Sequence, residues 1–334
     1  MTTAESARNS ICLAVCTHDR PDMLARALRS LTEQPADEIL VVDNAPSDGR
    51  TEALLATEFP GVRYVREPIA GLNFARNRAL AETKQDIVAF IDDDAVADPA
   101  WAQSLKAAFD ENPGIGLCTG RVLPLMLETD AQRLFEAQGG FDRGAARMRM
   151  PEDARRLRMH GLRVPLIAWS IAIGVGANMA VRRKVAEDIG GFDTALDLGS
   201  ALPGGGDVDA IWRVLAAGRG VVYEPQAIVH HEHRRDMDHV KAQILGHRRS
   251  EIAFLAKSAR RAPWGTAAGI YAFLAWRLMK PGLRIVKRAT TGEDPLPLAF
   301  LWPLWSETWR GLTTYSEAVR IARGRAAARP QPAP

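Results

Sequence analysis

Three consecutive aspartates, Asp92, Asp93 and Asp94, close the apolar run IVAFIDDD at residues 87–94. Carboxylates packed this closely repel, and each raises its neighbours' pKa unless a cation sits among them. Oxygen ligands at the end of a buried strand suit Mg²⁺ or Mn²⁺, which takes one or two carboxylates plus substrate phosphates. The same stretch also reads as an acidic loop with one carboxylate capping a helix near Pro99. A second carboxylate, Asp43, ends the strand-like VVDN at residues 41–44. It can accept a hydrogen bond from a base N–H or a ribose hydroxyl, or simply begin a turn with Asn44. A third group is LPGGGDVD at residues 202–209, where Asp207 and Asp209 stand at the start of an apolar helix. Asp207 can act there as a general base, or either residue can serve as an N-cap.

Three other stretches carry donors or ligands. GLNFARN at residues 71–77 opens a helix. Its glycine permits close backbone approach, its N-terminus favours a phosphate, and Arg76 offers a forked donor. GANMAVRR at residues 176–183 reads as a glycine-loosened strand leading into a helix. Gly176 and Asn178 there either leave room for an acceptor or a sugar or mark a tight packing corner. HHEH at residues 230–233 follows another strand, and alternation puts His231 and His233 on one face. One neutral imidazole can complete a metal shell. No third soft ligand is evident for zinc, and the aspartates favour a harder ion.

These groups need a frame. Apolar runs predict strands over residues 11–17, 38–43, 62–66, 86–92 and 115–122, with helices over 21–31, 51–58, 72–82 and 99–111 between them. This alternation argues a parallel sheet covered on both faces. Ligands bind such sheets off the carboxyl ends of the strands, where Asp43, Asn44 and the aspartate triplet all fall. Residues 123–165, rich in Arg, Met and Gly, read as an insertion or mobile region beside the site. Compact α/β character returns over 166–235, and the chain reads as helical from Met237. The expected organisation is a disordered start at 1–9, a catalytic domain at 10–250, a helical region at 251–325 and a disordered tail at 326–334.

The 334 residues suffice for one large domain with an appendage. A net charge of +3 without basic clustering argues against nucleic acid as a partner. Cys12, Cys16 and Cys118 are too few, and wrongly spaced, for a disulfide framework, which points to a reducing compartment. The expected location is the cytoplasm, at most peripheral at a membrane face. Five of the eight tryptophans (Trp264, Trp276, Trp302, Trp305 and Trp309) lie in the last quarter, beside Lys280, Arg284, Lys287 and Arg288. Such flanking of short apolar stretches fits docking on anionic lipid, and equally a helical appendage packed on the catalytic domain or on a second subunit.

In their order, these motifs resemble the family 2 glycosyltransferases of the GT-A fold, over roughly residues 10–250. The stretches that carry the resemblance are VCTHDRPDMLARALRSL at 15–31, ILVVDN at 39–44, GLNFARNRAL at 71–80, FIDDD at 90–94, residues 176–192, residues 205–213 and YEPQAIVHH at 223–231. The resemblance implies a Rossmann-like, mostly parallel sheet with helices on both faces. It also implies a nucleotide-diphosphate sugar donor, inversion at the anomeric carbon, and a carbohydrate or lipid-linked acceptor. Thr17, Arg20 and Asp43 match positions that hold base and ribose, and Arg76 matches a donor-pocket residue. Asp92 and Asp94 match the outer members of an Asp-x-Asp motif, with Asp94 as principal metal ligand and Asp92 or Asp93 near the ribose. Asp207 matches the catalytic base. His231, six residues past Pro225, matches a histidine that reaches the metal, with His233 in reserve. Gly176, Asn178 and Asp209 fall where the acceptor and sugar would lie. The family's usual Gly-Glu-Asp is here Gly205-Gly206-Asp207, so the glutamate that commonly orients the acceptor is missing. Two alternatives stand beside this reading. One is a nucleotidyltransferase, although the loop after the first strand, Thr17-His18-Asp19-Arg20-Pro21, is not the glycine- and lysine/arginine-rich loop such an enzyme normally has there. The other is a non-catalytic donor-binding subunit.

Overall fold

The computed structural model describes residues 9–153, 158–159, 162–294 and 296–328. Strand and helix alternate through β1 (Ile11–Thr17), α1 (Pro21–Leu31), β2 (Glu38–Asn44), α2 (Arg50–Glu58), β3 (Arg63–Glu67), α3 (Leu72–Glu82), β4 (Ile87–Asp92), β5 (Ala95–Ala97), α4 (Trp101–Glu111) and β6 (Ile115–Pro124). Next come α5 (Asp130–Ala137), β7 (Met148–Met150), the antiparallel pair β8 (Arg158–Met159) and β9 (Leu162–Arg163), and α6 (Ile167–Ile173). Then β10 (Asn178–Arg182), α7 (Arg183–Asp188), α8 (Gly206–Ala216) and β11 (Gly220–His231) complete the α/β part. Three long helices follow: α9 (Met237–Arg261), α10 (Trp264–Thr291) and α11 (Leu298–Ala327).

The main sheet has the order β3-β2-β1-β4-β10-β6-β11-β5, with β7 also paired to β11. β1, β2, β3 and β4 run parallel, and β10 lies antiparallel between β4 and β6. Period-two alternation divides each inner strand between two cores. On one face Ile11, Leu13 and Val15 of β1 join Ile87, Ala89 and Ile91 of β4 under Leu24 and Leu28 of α1 and Trp101 of α4. On the other, Cys12 and Ala14 join Val88 and Phe90 under Ala75 and Ala79 of α3 and Ile211 of α8. That two-sided burial explains why the strands read as unbroken apolar runs.

The parallel register puts Thr17 opposite Asp43 and Cys16 opposite Asp92. The three strand ends therefore open on one edge.

Several expectations are corrected. Asn9 belongs to the folded part, since its side chain donates to Asp110 (2.6 Å) and accepts from Arg182 (2.8 Å). α9 runs unbroken across residue 250, and α11 extends to Ala327. The rest of the expected disordered ends, residues 1–8 and 329–334, lies outside the described residues. Part of the 123–165 segment is regular. Thr129 and Gln132 form a capping box at the start of α5, and β7 pairs with β11. β5 was hidden because three residues give no period; it pairs antiparallel with β11, His231 opposite Ala95.

The C-terminal helices pack on the α/β part through Ile252, Phe254 and Leu255 of α9, Ile270 and Leu274 of α10, and Trp212 of α8. A buried ion network adds to this contact. Lys257 of α9 lies 2.6 Å from Asp209 and 2.5 Å from Asp193, Arg213 lies 2.8 Å from Asp209, and the Tyr315 hydroxyl donates to Asp193 at 2.7 Å. Lys257→Met leaves Asp209 and Asp193 without their shared cation and is expected to cost about 3–5 kcal/mol. Urea unfolding measures this, and a loss under about 1 kcal/mol would mean that water replaces the ammonium. Among the described residues, no helix is long and apolar enough to cross a membrane.

Candidate active site

β4 ends in Asp92, and the turn that follows carries Asp93 and Asp94. The third group arrives from β11. Its register breaks between Glu224 and Ile228, then resumes beside β6, and β5 fixes the last residues from the other side. The Glu232 N–H donates to the Asp94 carbonyl at 2.9 Å. His231 is thereby brought to the aspartates, its Nε2 at 3.1 Å from Asp94 Oδ1 and 3.9 Å from Asp92 Oδ2. Asp92, Asp94 and His231 each offer one ligand atom within 4.8 Å of the others. Asp94 Oδ1 is buried and makes no hydrogen bond of good geometry, although the imidazole is close. Two carboxylates and one imidazole nitrogen around an unsatisfied buried oxygen fit a hard divalent cation.

The electrostatics agree with that fit. Burial, then the charge of Asp94, push the Asp92 carboxyl above its ordinary range. Burial and Asp94 likewise push Asp93 up to about 6. Burial would raise Asp94 too, but the adjacent His231, then Arg20, hold it below the usual range.

The imidazole is itself oriented. His233 Nε2 lies 2.7 Å from Glu136 Oε1, and a carboxylate only accepts, so this nitrogen carries the proton. Burial and the neighbouring His231 favour the neutral form of His233. Its bare Nδ1 then accepts from His231 Nδ1 at 3.3 Å, so Nε2 is the His231 nitrogen turned toward Asp92 and Asp94, the one that a cation would claim on displacing its proton. A carboxylate behind a ligand histidine sets the tautomer in this way at metal sites generally. His233 is thus a support for His231 and stands outside the cluster. Glu136 had no signal in the sequence, because α5 was not recognised.

Thr17 donates to Asp93 at 2.8 Å, and Arg20 reaches Asp93 at 3.3 Å and Asp94 at 3.4 Å. Both residues hold the aspartate turn in place. Asp43 is fully buried at the same edge. Its Oδ2 accepts from Tyr64 at 3.1 Å and its buried Oδ1 has no partner.

Arg76 is buried and reaches 3.8 Å from Asp92, donates to the Gly176 carbonyl at 3.0 Å, and stacks on Phe192 at 5.5 Å. The Gly176 N–H in turn donates to Asp207 Oδ2 at 2.8 Å. Gly176 must be small, because a Cβ there would press on the Arg76 guanidinium at 2.8 Å and on Asp207 at 3.1 Å. Three contacts therefore join the metal-type cluster to Asp207, which sits half-buried in the first turn of α8.

Other expectations are not met. Asn178 is fully buried; Trp101 donates to its Oδ1 at 2.8 Å, and its Nδ2 donates to Ala227 (2.8 Å) and Arg121 (2.9 Å). It pins the sheet and offers nothing to an acceptor. Asp209 is consumed by Lys257 and Arg213. Alternation and proximity could not separate these roles from pocket roles, since both need a polar residue at the same place. The phosphate expected at the start of α3 meets protein groups instead: Asn44 accepts from Gly71 N at 2.8 Å, and Asp197 accepts from Asn73 N at 3.0 Å.

Asp197 carries a pH signature. Its Oδ2 is buried without a partner, and burial pushes its carboxyl up to about 7. The folded chain thus holds this proton more tightly than the unfolded chain, where the carboxyl ionises near ~4. The advantage is complete below that pH and is lost as pH rises through about 7. Asp197→Asn is expected to gain on the parent protein at pH 8 relative to pH 4.5 in urea midpoints. An equal difference at both pH values would contradict this.

Position 206 has no room for a side chain in this structure. Any Cβ on Gly206 would collide with the Asn73 side-chain amide, which is locked to the Asp193 carbonyl (3.0 Å) and the Leu196 carbonyl (2.8 Å). Gly206→Glu is expected to destabilise by about 1–3 kcal/mol through overpacking, read from urea unfolding. An unchanged midpoint would show that Asn73 moves aside freely.

A mostly parallel α/β sheet with an acidic cluster at its carboxyl edge defines a nucleotide-type binding fold. The sequence profile of Glycosyl transferase family 2 matches residues 12–190, more than half of the chain, and the chain belongs to that family. It is 27% identical over 270 residues to the pre-mycofactocin glycosyltransferase of Mycobacterium tuberculosis, covering 78% of this chain. The chain spans about half the length of that relative, 51%. It is 24% identical to the glucosyl-dolichyl phosphate glucuronosyltransferase of Haloferax volcanii (68% of this chain, 72% of the relative). It is 27% identical to the succinoglycan biosynthesis protein ExoM of Rhizobium meliloti (73% and 70%). Among solved structures, a mannosyltransferase from Pyrobaculum calidifontis in complex with GDP-Man and Mn²⁺ superposes with a TM-score of 0.55 at 17% identity, covering 95% of this chain and 87% of that one. This likeness establishes the GT-A type of fold.

Proposed function

We propose that this chain is an inverting glycosyltransferase that moves a sugar from a nucleotide-diphosphate donor to a hydroxyl of a carbohydrate or lipid-linked acceptor in glycan assembly. The observation that carries the reading is the cluster of Asp92, Asp94 and His231, tied through Arg76 and Gly176 to Asp207. Asp92, Asp94 and His231 would hold a Mn²⁺ or Mg²⁺ ion. Bound there, such an ion supplies Lewis-acid neutralisation of the charge growing on the leaving diphosphate.

The chain's own groups do the rest. Asp43 accepts from the donor's base or ribose with its free Oδ1, beside the loop that Thr17, Arg20 and Asp93 stabilise. Arg76 aligns Asp92 and the Gly176 carbonyl from below. Asp207 takes the proton of the acceptor hydroxyl while that oxygen bonds to the anomeric carbon. The bond from the anomeric carbon to the phosphate oxygen breaks on the opposite side, its electron pair leaving with the nucleoside diphosphate. The Gly176 N–H fixes the Asp207 carboxylate so that its free lone pairs face the hydroxyl.

A thermal-shift screen of nucleoside diphosphates with and without Mn²⁺ tests the reading. A ligand at 100 times its Kd stabilises by about 2.7 kcal/mol, so one base should stand out, and only with the ion present. No selective shift with any nucleotide, or shifts indifferent to Mn²⁺, would contradict it.

A further inference from the structure

Beside the active site lies a cavity of about 320 Å³ between the α5 region and helices α9, α10 and α11. Its wall holds five cations, Arg143, Arg248, Arg277, Lys280 and Arg284, against a single lining carboxylate, Glu251. Glu251 is shared by Arg248 and Arg277, and Arg284 is held by Asp294. Among the described residues neither Arg143 nor Lys280 has a carboxylate partner. Arg143 donates only to the Gly139, Gly140 and Asp142 carbonyls, and its buried Nε has no partner at all. Burial, then Arg277, Arg248 and Arg284, hold the Lys280 ammonium below its ordinary range. Gathering like charges in a partly dry space is unfavourable, and an entering anion reverses the sign of that interaction.

The cavity adjoins the reacting groups. Phe141 lines it and stands edge-on to His231 at 5.3 Å. His247, also in its wall, lies against Gly204 in the loop before Asp207, and the Asp207 charge acts on both His247 and Arg143. The cavity wall thus reaches both His231 and the loop that leads into Asp207. The helix that supplies Arg277, Lys280 and Arg284 also exposes Trp276, Met279, Leu283 and Val286 on its outer face.

We infer that this cavity binds the phosphate ester of a phosphate-bearing acceptor, so that the hydroxyl to be glycosylated reaches Asp207 while its linking phosphate rests among Arg143, Lys280 and the neighbouring guanidiniums. The inference rests on the transferase reading above. The phosphate can belong to a lipid carrier or to a water-soluble ester, and the two sources are separated below.

The test is isothermal titration of the full chain in EDTA, without nucleotide, with inorganic pyrophosphate and with geranyl diphosphate as probes. Excluding divalent ions removes any contribution from Asp92 and Asp94. Both probes are expected to bind, and Arg143→Gln with Lys280→Gln is expected to weaken them at least about tenfold. Arg143→Lys, which keeps the charge, should retain most of the affinity. Tighter binding of geranyl diphosphate assigns the lipid source, and equal binding assigns the soluble one. Because the two side chains lack carboxylate partners, the neutral double variant should unfold at the same temperature or higher; a folded variant that binds both probes like the parent overturns the inference, as does a parent that binds neither. Mn²⁺-dependent release of nucleoside diphosphate by the unaltered protein checks the transferase reading separately. Donor turnover without probe binding removes the inference alone, and probe binding without donor turnover removes the reading alone.

Discussion

Asp94→Ala is expected to lower kcat/KM for sugar transfer by about 10³-fold or more and to remove the Mn²⁺-dependent part of nucleotide affinity. The magnitude follows from where the side chain sits. Asp94 is almost fully buried, its Oδ1 has no hydrogen bond, and it lies 3.1 Å from His231 Nε2. Its removal leaves Asp92 and His231 as a two-point site and frees Arg20 from one of its two carboxylates. Charge neutralisation at a developing diphosphate contributes several kcal/mol in a site that excludes water, more than a proton acceptor alone supplies. Titration of a nucleoside diphosphate into the variant, with and without Mn²⁺, checks the binding half. Unchanged ion dependence would remove Asp94 from its role.

Asp207→Asn is expected to lower kcat by about 10²–10⁴-fold while leaving nucleotide affinity and its Mn²⁺ dependence close to those of the parent. The amide keeps the size of the carboxylate, and its oxygen can still accept from the Gly176 N–H at the 2.8 Å position. What is lost is the capacity to take a proton. A matched fall in kcat and in nucleotide affinity would show that Asp207 serves the donor and not the acceptor. The contrast between the two variants separates ion binding from proton transfer, which a simple loss of activity does not.

Much of this site was legible before any coordinates. The runs at 11–17, 21–31 and 72–82 match β1, α1 and α3 residue for residue, because apolar periodicity and helix punctuation are local properties. The juxtaposition of Asp43 with the aspartate triplet followed from the parallel-sheet rule, and the register of Thr17 with Asp43 and Cys16 with Asp92 realises it. His231 was singled out by clustering and by its motif, and β5 and β11 bring it to Asp94. What sequence could not separate was a polar residue that serves the fold from one that serves a ligand. Asn178 satisfies a tryptophan indole and two carbonyls, and Asp209 neutralises Lys257. Each lies two residues from a group of the proposed site, Gly176 and Asp207. Glu136 and Arg143 were missed for the opposite reason. They belong to a stretch whose only local signal is the Thr129 and Gln132 capping box, and their neighbours, His233 after β11 for the one and side chains of α9 and α10 for the other, come about a hundred or more residues later in the chain.

Anomalous diffraction at the manganese edge, from crystals grown with Mn²⁺ and the nucleoside diphosphate selected by thermal shift, puts the whole account to one observation. The expected result is a single peak bounded by Asp92, Asp94 and His231 and touching the diphosphate, with Asp207 across the cleft. A nucleotide bound with no ion at those three side chains, or an ion held elsewhere on the protein, would contradict the assignment of this cluster as the seat of the reaction.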